Sequence, residues 1–226
     1  MVLIGTEKEK KQHNKYLNQM ALLIQPTFFG PVIQYVAMAG QSNIIFEKQD
    51  NFQKQTYRNR CYIYGPNGKQ LLTVPILHSK STLRQKTKEV KIDKSFSWQK
   101  IFIRSLEASY RSSPYFEFYE DDIMQIFDKR HTFLLDLNMH AHEVISECLQ
   151  LENTIQYTTA YQEEPREQKD LRYLVNAKKE PVYDLESYTQ VFNNKHGFLA
   201  NLSILDLLFN EGTTALDYLE SHKSLV

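Results

Sequence analysis

Two arginines stand two residues apart in Gln53-Lys54-Gln55-Thr56-Tyr57-Arg58-Asn59-Arg60. On an extended strand that spacing puts Arg58 and Arg60 on one face, opposite Tyr57 and Asn59. A guanidinium is a planar fork of donors, so two of them with Lys54 nearby suit a phosphate or carboxylate. The other reading is a solvated sheet face paired with surface acids. Further along, Ser203, Asp206 and Asn210 fall at i, i+3 and i+7 of Ser203-Ile-Leu-Asp-Leu-Leu-Phe-Asn210 and share one helical face, the rest being apolar. A helix of that kind belongs inside, where a carboxylate needs a partner. Arg58 or Arg60 would serve, as a structural ion pair or as part of a site.

Other residue types fill out the chemistry. His78 is the first polar residue after the apolar run Leu71 to Leu77 and, with Asp206, is a candidate base. Asn59 and Asn210 could donate to a developing oxyanion. Gln25 and Tyr35 flank the turn Gln25-Pro-Thr-Phe-Phe-Gly-Pro31 and could face the crevice beyond a strand's carboxyl end, where open α/β sheets bind ligands. An ordinary connection with aromatic packing is the alternative. Asp136, His140, Glu143 and Glu147 share a helical face, which metal ligands can do, but a charged outer face accounts for them more simply. No metal site is assigned.

The elements that must hold these residues can be read in order. Met20 to Gln25 reads as a buried strand, Val32 to Met38 as a short helix between Pro31 and Gly40, and Asn43 to Glu47 as a second strand. That order begins an α/β layer with a parallel pair. Residues 56–64 and 69–77 read as a hairpin about Gly65-Pro-Asn-Gly68, and 89–92 as a short strand. From Ser95 the period becomes helical: Trp98, Phe102, Leu106 and Tyr110 form one stripe, a second helix starts at an acidic run from Glu120, and a third spans about 132–151. Residues 152–186 read as irregular, and two final helices cover 201–211 and 213–221. The expected fold class is α/β, a mixed β-sheet in the N-terminal half covered by helices from the middle and C-terminal regions.

Composition limits the function. Lys and Arg together number 27, as do Asp and Glu, in a chain of 226 residues, so no broad positive field exists to hold nucleic acid without regard to sequence. No apolar run approaches the roughly 20 residues that span a bilayer. Two cysteines outside any Cys-x-x-Cys pair, behind a charged opening segment unlike a signal peptide, point to reduced thiols in the cytoplasm. Walker, Gly-x-Gly-x-x-Gly, Gly-x-Ser-x-Gly and His-Glu-x-x-His motifs are absent.

Taken in order, Gln25 to Pro31, Gln53 to Arg60, Leu72-Thr-Val-Pro75, Trp98, Tyr110-Arg-Ser-Ser-Pro-Tyr-Phe116 and Leu202 to Asn210 resemble the WbqC-like proteins, over about residues 20–220. Gly30-Pro31 departs from that family's usual loop, in which Gly-Tyr stands near the helix start; Tyr35 supplies an aromatic instead. The segment around 201–210 looks like Bacteroidetes-type members. Residues 1–19, charged and without sustained period, read as a flexible arm; the resemblance implies a WbqC-like α/β domain over 20–226 and a role in bacterial O-antigen or other surface-polysaccharide biosynthesis. It implies a cytoplasmic transferase moving an acyl or aminoacyl (glycyl) group to an amino sugar or sugar nucleotide. The resemblance favours a site at Lys54, Arg58, Asn59, Arg60, Asp206 and Asn210 for an anionic small molecule; the reading of the residues adds Gln25, Tyr35 and Ser203 to its contacts and leaves Asp206 or His78 as the base. No cofactor is identified beyond an acyl or aminoacyl donor. The alternative is a non-catalytic partner of envelope or polysaccharide assembly.

Overall fold

The computed structural model describes residues 20–77 and 84–226; the expected arm at 1–19 and His78 lie outside them. Four strands form an all-parallel sheet in the order β5-β2-β1-β6: β1 Ala21–Ile24, β2 Asn43–Phe46, β5 Thr154–Tyr157 and β6 Gln168–Asp170. Leu22, Leu23 and Ile24 are all buried, as a central parallel strand requires when both of its faces are covered. Helix α1, Val32–Met38, makes the crossover from β1 to β2 and is buried on every side.

The remaining strands, β3 Arg60–Gly65 and β4 Gly68–Thr73, form a separate antiparallel hairpin in which Gly65 and Gly68 close the turn. The α/β class therefore holds, with two sheets where one was expected. The 89–92 segment is not a strand: it follows a 3₁₀ turn at Thr87–Glu89 and makes only isolated bridges, Ile76 to Ile92 and Lys91 to Phe133. Strands β5 and β6 lie within the stretch read as irregular. Both are short, largely polar edge strands, so they carry no apolar alternation to reveal them. Register with β2 and β1 defines them instead.

Helices α2 (Trp98–Tyr110), α3 (Phe116–Asp128) and α4 (Leu134–Leu149) sit where the helical period placed them. They bury Trp98, Phe102, Leu106 and Tyr110 on one stripe and Leu134, Leu137, Ala141 and Ile145 on another. Phe28 and Phe29 join Trp98, Phe102 and Phe127 in an aromatic cluster with centroid spacings of 4.4 to 6.4 Å, so the aromatic residues of the 25–31 turn serve packing. A one-turn helix α5 (Asn193–His196) precedes α6 (Ile204–Glu211) and α7 (Ala215–Ser221).

The entry to α6 is tied directly to the N-terminal half. Val32 N–H donates to Leu202 O at 2.9 Å, Ser203 N–H to Tyr62 O at 2.7 Å and Ile204 N–H to Gly30 O at 2.9 Å. Asn201, at φ 52°, accepts from Ile33 N–H through Oδ1 at 2.8 Å. Among the described residues no helix is long and apolar enough to cross a membrane.

Candidate functional site

The chain segments leaving β1, β2 and β6 at their carboxyl ends enclose a cleft of about 770 Å³, within the usual range for small-molecule sites. Gln25 follows β1, Asp50 to Gln53 follow β2, and Asp170 ends β6; Arg58, Arg84, Tyr161 and Arg172 complete much of the wall. This is the crevice that strand order favours for ligands in open parallel sheets.

Arg58 is the decisive residue. It is 1 % exposed, and its Nη2 pairs with Asp50 Oδ2. Among the described residues its Nε and Nη1 have no partner, and neither do Asp50 Oδ1 or Gln25 Oε1. Gln25 Nε2 donates to Asp50 Oδ2 at 3.3 Å. The cleft therefore contains two buried donors and two buried acceptors whose hydrogen-bonding capacity the described residues leave unused. Buried polar groups are rarely left so. Burial lowers the Arg58 pKa, while Asp50 first and Glu47 second oppose that fall. At the rim, Arg172 grips Asp170 through Nη2 at 2.7 Å and meets Glu47 at 3.5 Å, an ion-pair distance without a hydrogen bond.

The local backbone explains why strand alternation misplaces Arg58. Residues 56–59 form a turn anchored by Tyr57 N–H to Val175 O at 2.8 Å and Phe28 N–H to Tyr57 O at 2.9 Å. Asn138 Nδ2 holds Arg58 O at 2.9 Å. The strand starts only at Arg60, so Arg58 reaches the cleft while Arg60 belongs to the hairpin, paired with Thr73. Asn59 donates to Val74 O at 3.0 Å, and Lys54 is exposed. Neither lines the cleft, nor does Arg60. Tyr35 is a core residue whose hydroxyl is held protonated by burial.

Asp206 does not meet the arginines. Its carboxylate, fully buried, accepts from Tyr110 Oη at 2.8 Å, Tyr188 Oη at 2.7 Å and Gln190 Nε2 at 2.7 Å. Burial raises its pKa to about 6, and the bonds from Tyr188, Gln190 and Tyr110 limit the rise. Asn210 donates to Asp206 O at 2.7 Å within α6, and Ser203 caps that helix, accepting from Leu205 N–H and donating to Phe29 O at 2.9 Å. The expected ion pair from Asp206 to Arg58 or Arg60 is thus replaced by two separate constellations, because tyrosines supply what a buried carboxylate needs. His140 meets His131, Nδ1 to Nε2 at 3.1 Å.

Asp50, Arg84, Tyr161 and Arg172 were not singled out from sequence. Asp50 could have been found as the nearest upstream acid to a buried Arg58; Tyr161 and Arg172 come from the stretch that showed no period.

Comparison with known sequences shows the family. The profile of the WbqC-like protein family matches residues 25–183, which include most of the cleft wall and its Arg58 floor. The chain belongs to the WbqC-like protein family. An uncharacterised protein of Mycobacterium tuberculosis, Rv1507c, is 27% identical over 194 residues, covering 74% of this chain and 83% of that relative. No solved structure matches. In WbqC-like terms the matched region ends before α6, so Asp206 and its tyrosine partner Tyr188 fall outside it, whereas Gln25, Asp50 and Arg58 fall within.

Proposed function

We propose that this WbqC-like protein binds an anionic small molecule in the Arg58 cleft and transfers an acyl or aminoacyl group to an amine on it. The observation that carries this reading is the pair of unused donors on buried Arg58, Nε and Nη1, beside the unused acceptors Asp50 Oδ1 and Gln25 Oε1. The donors suit a phosphate or carboxylate oxygen. The acceptors suit an amine on the same ligand. Asp50 takes the proton as the amine attacks the acyl carbonyl, the new C–N bond forms, and the donor's leaving group departs with its electron pair. Family resemblance supports the wider setting: an amino sugar or sugar nucleotide as acceptor, surface-polysaccharide biosynthesis, and a cytoplasmic location.

A thermal-shift panel of sugar nucleotides, amino-sugar phosphates, acyl-coenzyme A and aminoacyl donors tests it. At least one anionic ligand should raise the melting temperature of the native protein by several degrees. Arg58→Lys, which keeps a cation for Asp50 but loses both free donors, should lose most of that shift. Absence of any shift across the panel, or an undiminished shift in the lysine variant, overturns the reading. The second reading, a non-catalytic assembly partner, draws support from Ser203, Asp206 and Asn210, each of which hydrogen-bonds within the protein. It leaves the unused atoms around Arg58 without a purpose.

A further inference from the structure

A second cavity, of about 470 Å³, opens at the start of α2 and the end of α3 and shares no lining residue with the Arg58 cleft. Lys94, Lys129 and Arg130, all exposed, stand in its wall with His131, and no carboxylate lines it. In a chain of zero net charge such a local excess of cations is a selective feature. Of the neighbouring acids, Asp93 accepts from Ser95 N–H at 2.8 Å, and Asp136, outside the wall, stands near His131.

Three further observations make the cavity more than a basic patch. Helix α2, 13 residues long, starts here with no side-chain cap at Ser97; Trp98 N–H turns back to Phe96 O at 3.0 Å, and the later N–H groups of the first turn lack a side-chain cap to compete with an anion. Trp98 lines the cavity, is 5 % exposed, and its indole Nε1–H has no acceptor among the described residues. An unpaired buried donor calls for an acceptor, which a phosphate oxygen supplies. Phe96, 51 % exposed, presents an aromatic face in the same wall. Cations beside an aromatic platform match a ligand with phosphates at one end and a flat ring at the other.

We infer that this cavity binds a nucleoside diphosphate, its phosphates among Lys94, Lys129, Arg130 and the first turn of α2, and its base against Phe96. The inference stands apart from the Arg58 cleft, and either can fail alone.

Trp98 is the chain's sole tryptophan, so its fluorescence reports on this cavity in the full-length protein. Titration with UDP and ADP, excited at the red edge of indole absorption, should give a saturable change. Uridine and pyrophosphate, which each carry half of the recognised chemistry, should bind at least tenfold more weakly. Lys129→Glu with Arg130→Glu, both exposed and so tolerated by the fold, should weaken nucleotide binding at least tenfold with an unchanged circular dichroism spectrum. Phe96→Ala should weaken nucleotides but not pyrophosphate. Arg84→Glu, in the other cleft, should leave the titration as it was. No saturable change with either nucleotide overturns the inference, as does equal binding of pyrophosphate and UDP, or indifference to the double charge reversal.

Discussion

At Asp206 the structure sets burial against three hydrogen bonds, and burial wins: the carboxyl rises from 3.8 to about 6. That rise corresponds to about 3 kcal/mol. Because the folded-state value exceeds the unfolded one, the folded protein holds this proton more tightly. The stability this contributes is full below pH 3.8 and is lost as pH rises through about 6. Urea unfolding of the native protein and of Asp206→Asn, each from pH 4 to 7, should show their stability difference moving by about 2 kcal/mol in favour of the variant as pH rises. Identical slopes would show that Asp206 does not titrate in that window. The Arg58–Asp50 pair behaves differently, since removing one partner strands the other. Arg58→Met should cost about 3–5 kcal/mol, and adding Asp50→Leu should return part of it, as replacement of a buried pair by apolar groups commonly does. If the double variant is less stable than Arg58→Met by denaturant unfolding, the stranded charge is not the source of the cost. Asp206 was legible from sequence as a residue that would be buried and need a partner, whereas Arg58 read equally well as part of a solvated sheet face. The identity of the partners of Asp206 was not legible, because tyrosine hydroxyls at 110 and 188 leave no trace in spacing.

Among the elements, the long helices were the easiest to read. Their apolar stripes repeat over several turns, and Trp98 to Tyr110 appears with the stripe that its sequence announces. Strands β5 and β6 are the opposite case: Gln168-Lys-Asp170 is a strand only because β1 offers a free edge to it. The 56–60 stretch failed for a third reason. Its alternation is real but its backbone turns, and backbone pairing to Val175 and Phe28 decides the outcome. Helix α6 depends on a cap that also fastens it to the 25–31 turn: Ser203 Oγ receives Leu205 N–H and reaches Phe29 O. Ser203→Ala removes both bonds and should cost about 1–2 kcal/mol, the usual value of an N-cap in a folded protein. Guanidinium unfolding measures it. A loss below about 0.3 kcal/mol would mean that neighbouring groups or water already replace the hydroxyl.

Across the whole molecule, the family-matched region and the folded core have different limits. Profile similarity ends at residue 183, yet Leu202, Ile204, Leu205, Leu207, Leu208, Phe209, Ala215 and Leu219 are fully buried in the same core as Ile24 and Ile63. Removing residues 201–226 would uncover those neighbours and break the bonds from 202–204 to Gly30, Val32 and Tyr62. At roughly 2 kcal/mol for each large apolar side chain buried, that loss exceeds the whole stability of an ordinary domain. The shortened chain should therefore show no cooperative thermal transition and should bind a dye specific for exposed apolar surface. A sharp transition would place the core's true limit nearer residue 183.

The position of β1 has a consequence for how the protein is made. Of the described strands it is the first to be synthesised, and it is an interior strand of the finished sheet, with β2 on one side and β6 on the other. Leu22 must wait for Lys169, its partner in β6, which is synthesised roughly 150 residues later; at ~5–20 residues per second that delay is on the order of 10–30 s. Throughout that interval an apolar strand is completed on one edge only, a ready template for another chain. The nascent protein thus passes through its period of greatest exposure to aggregation before the Arg58 cleft, which needs β6 and Arg172 for its far wall, can exist.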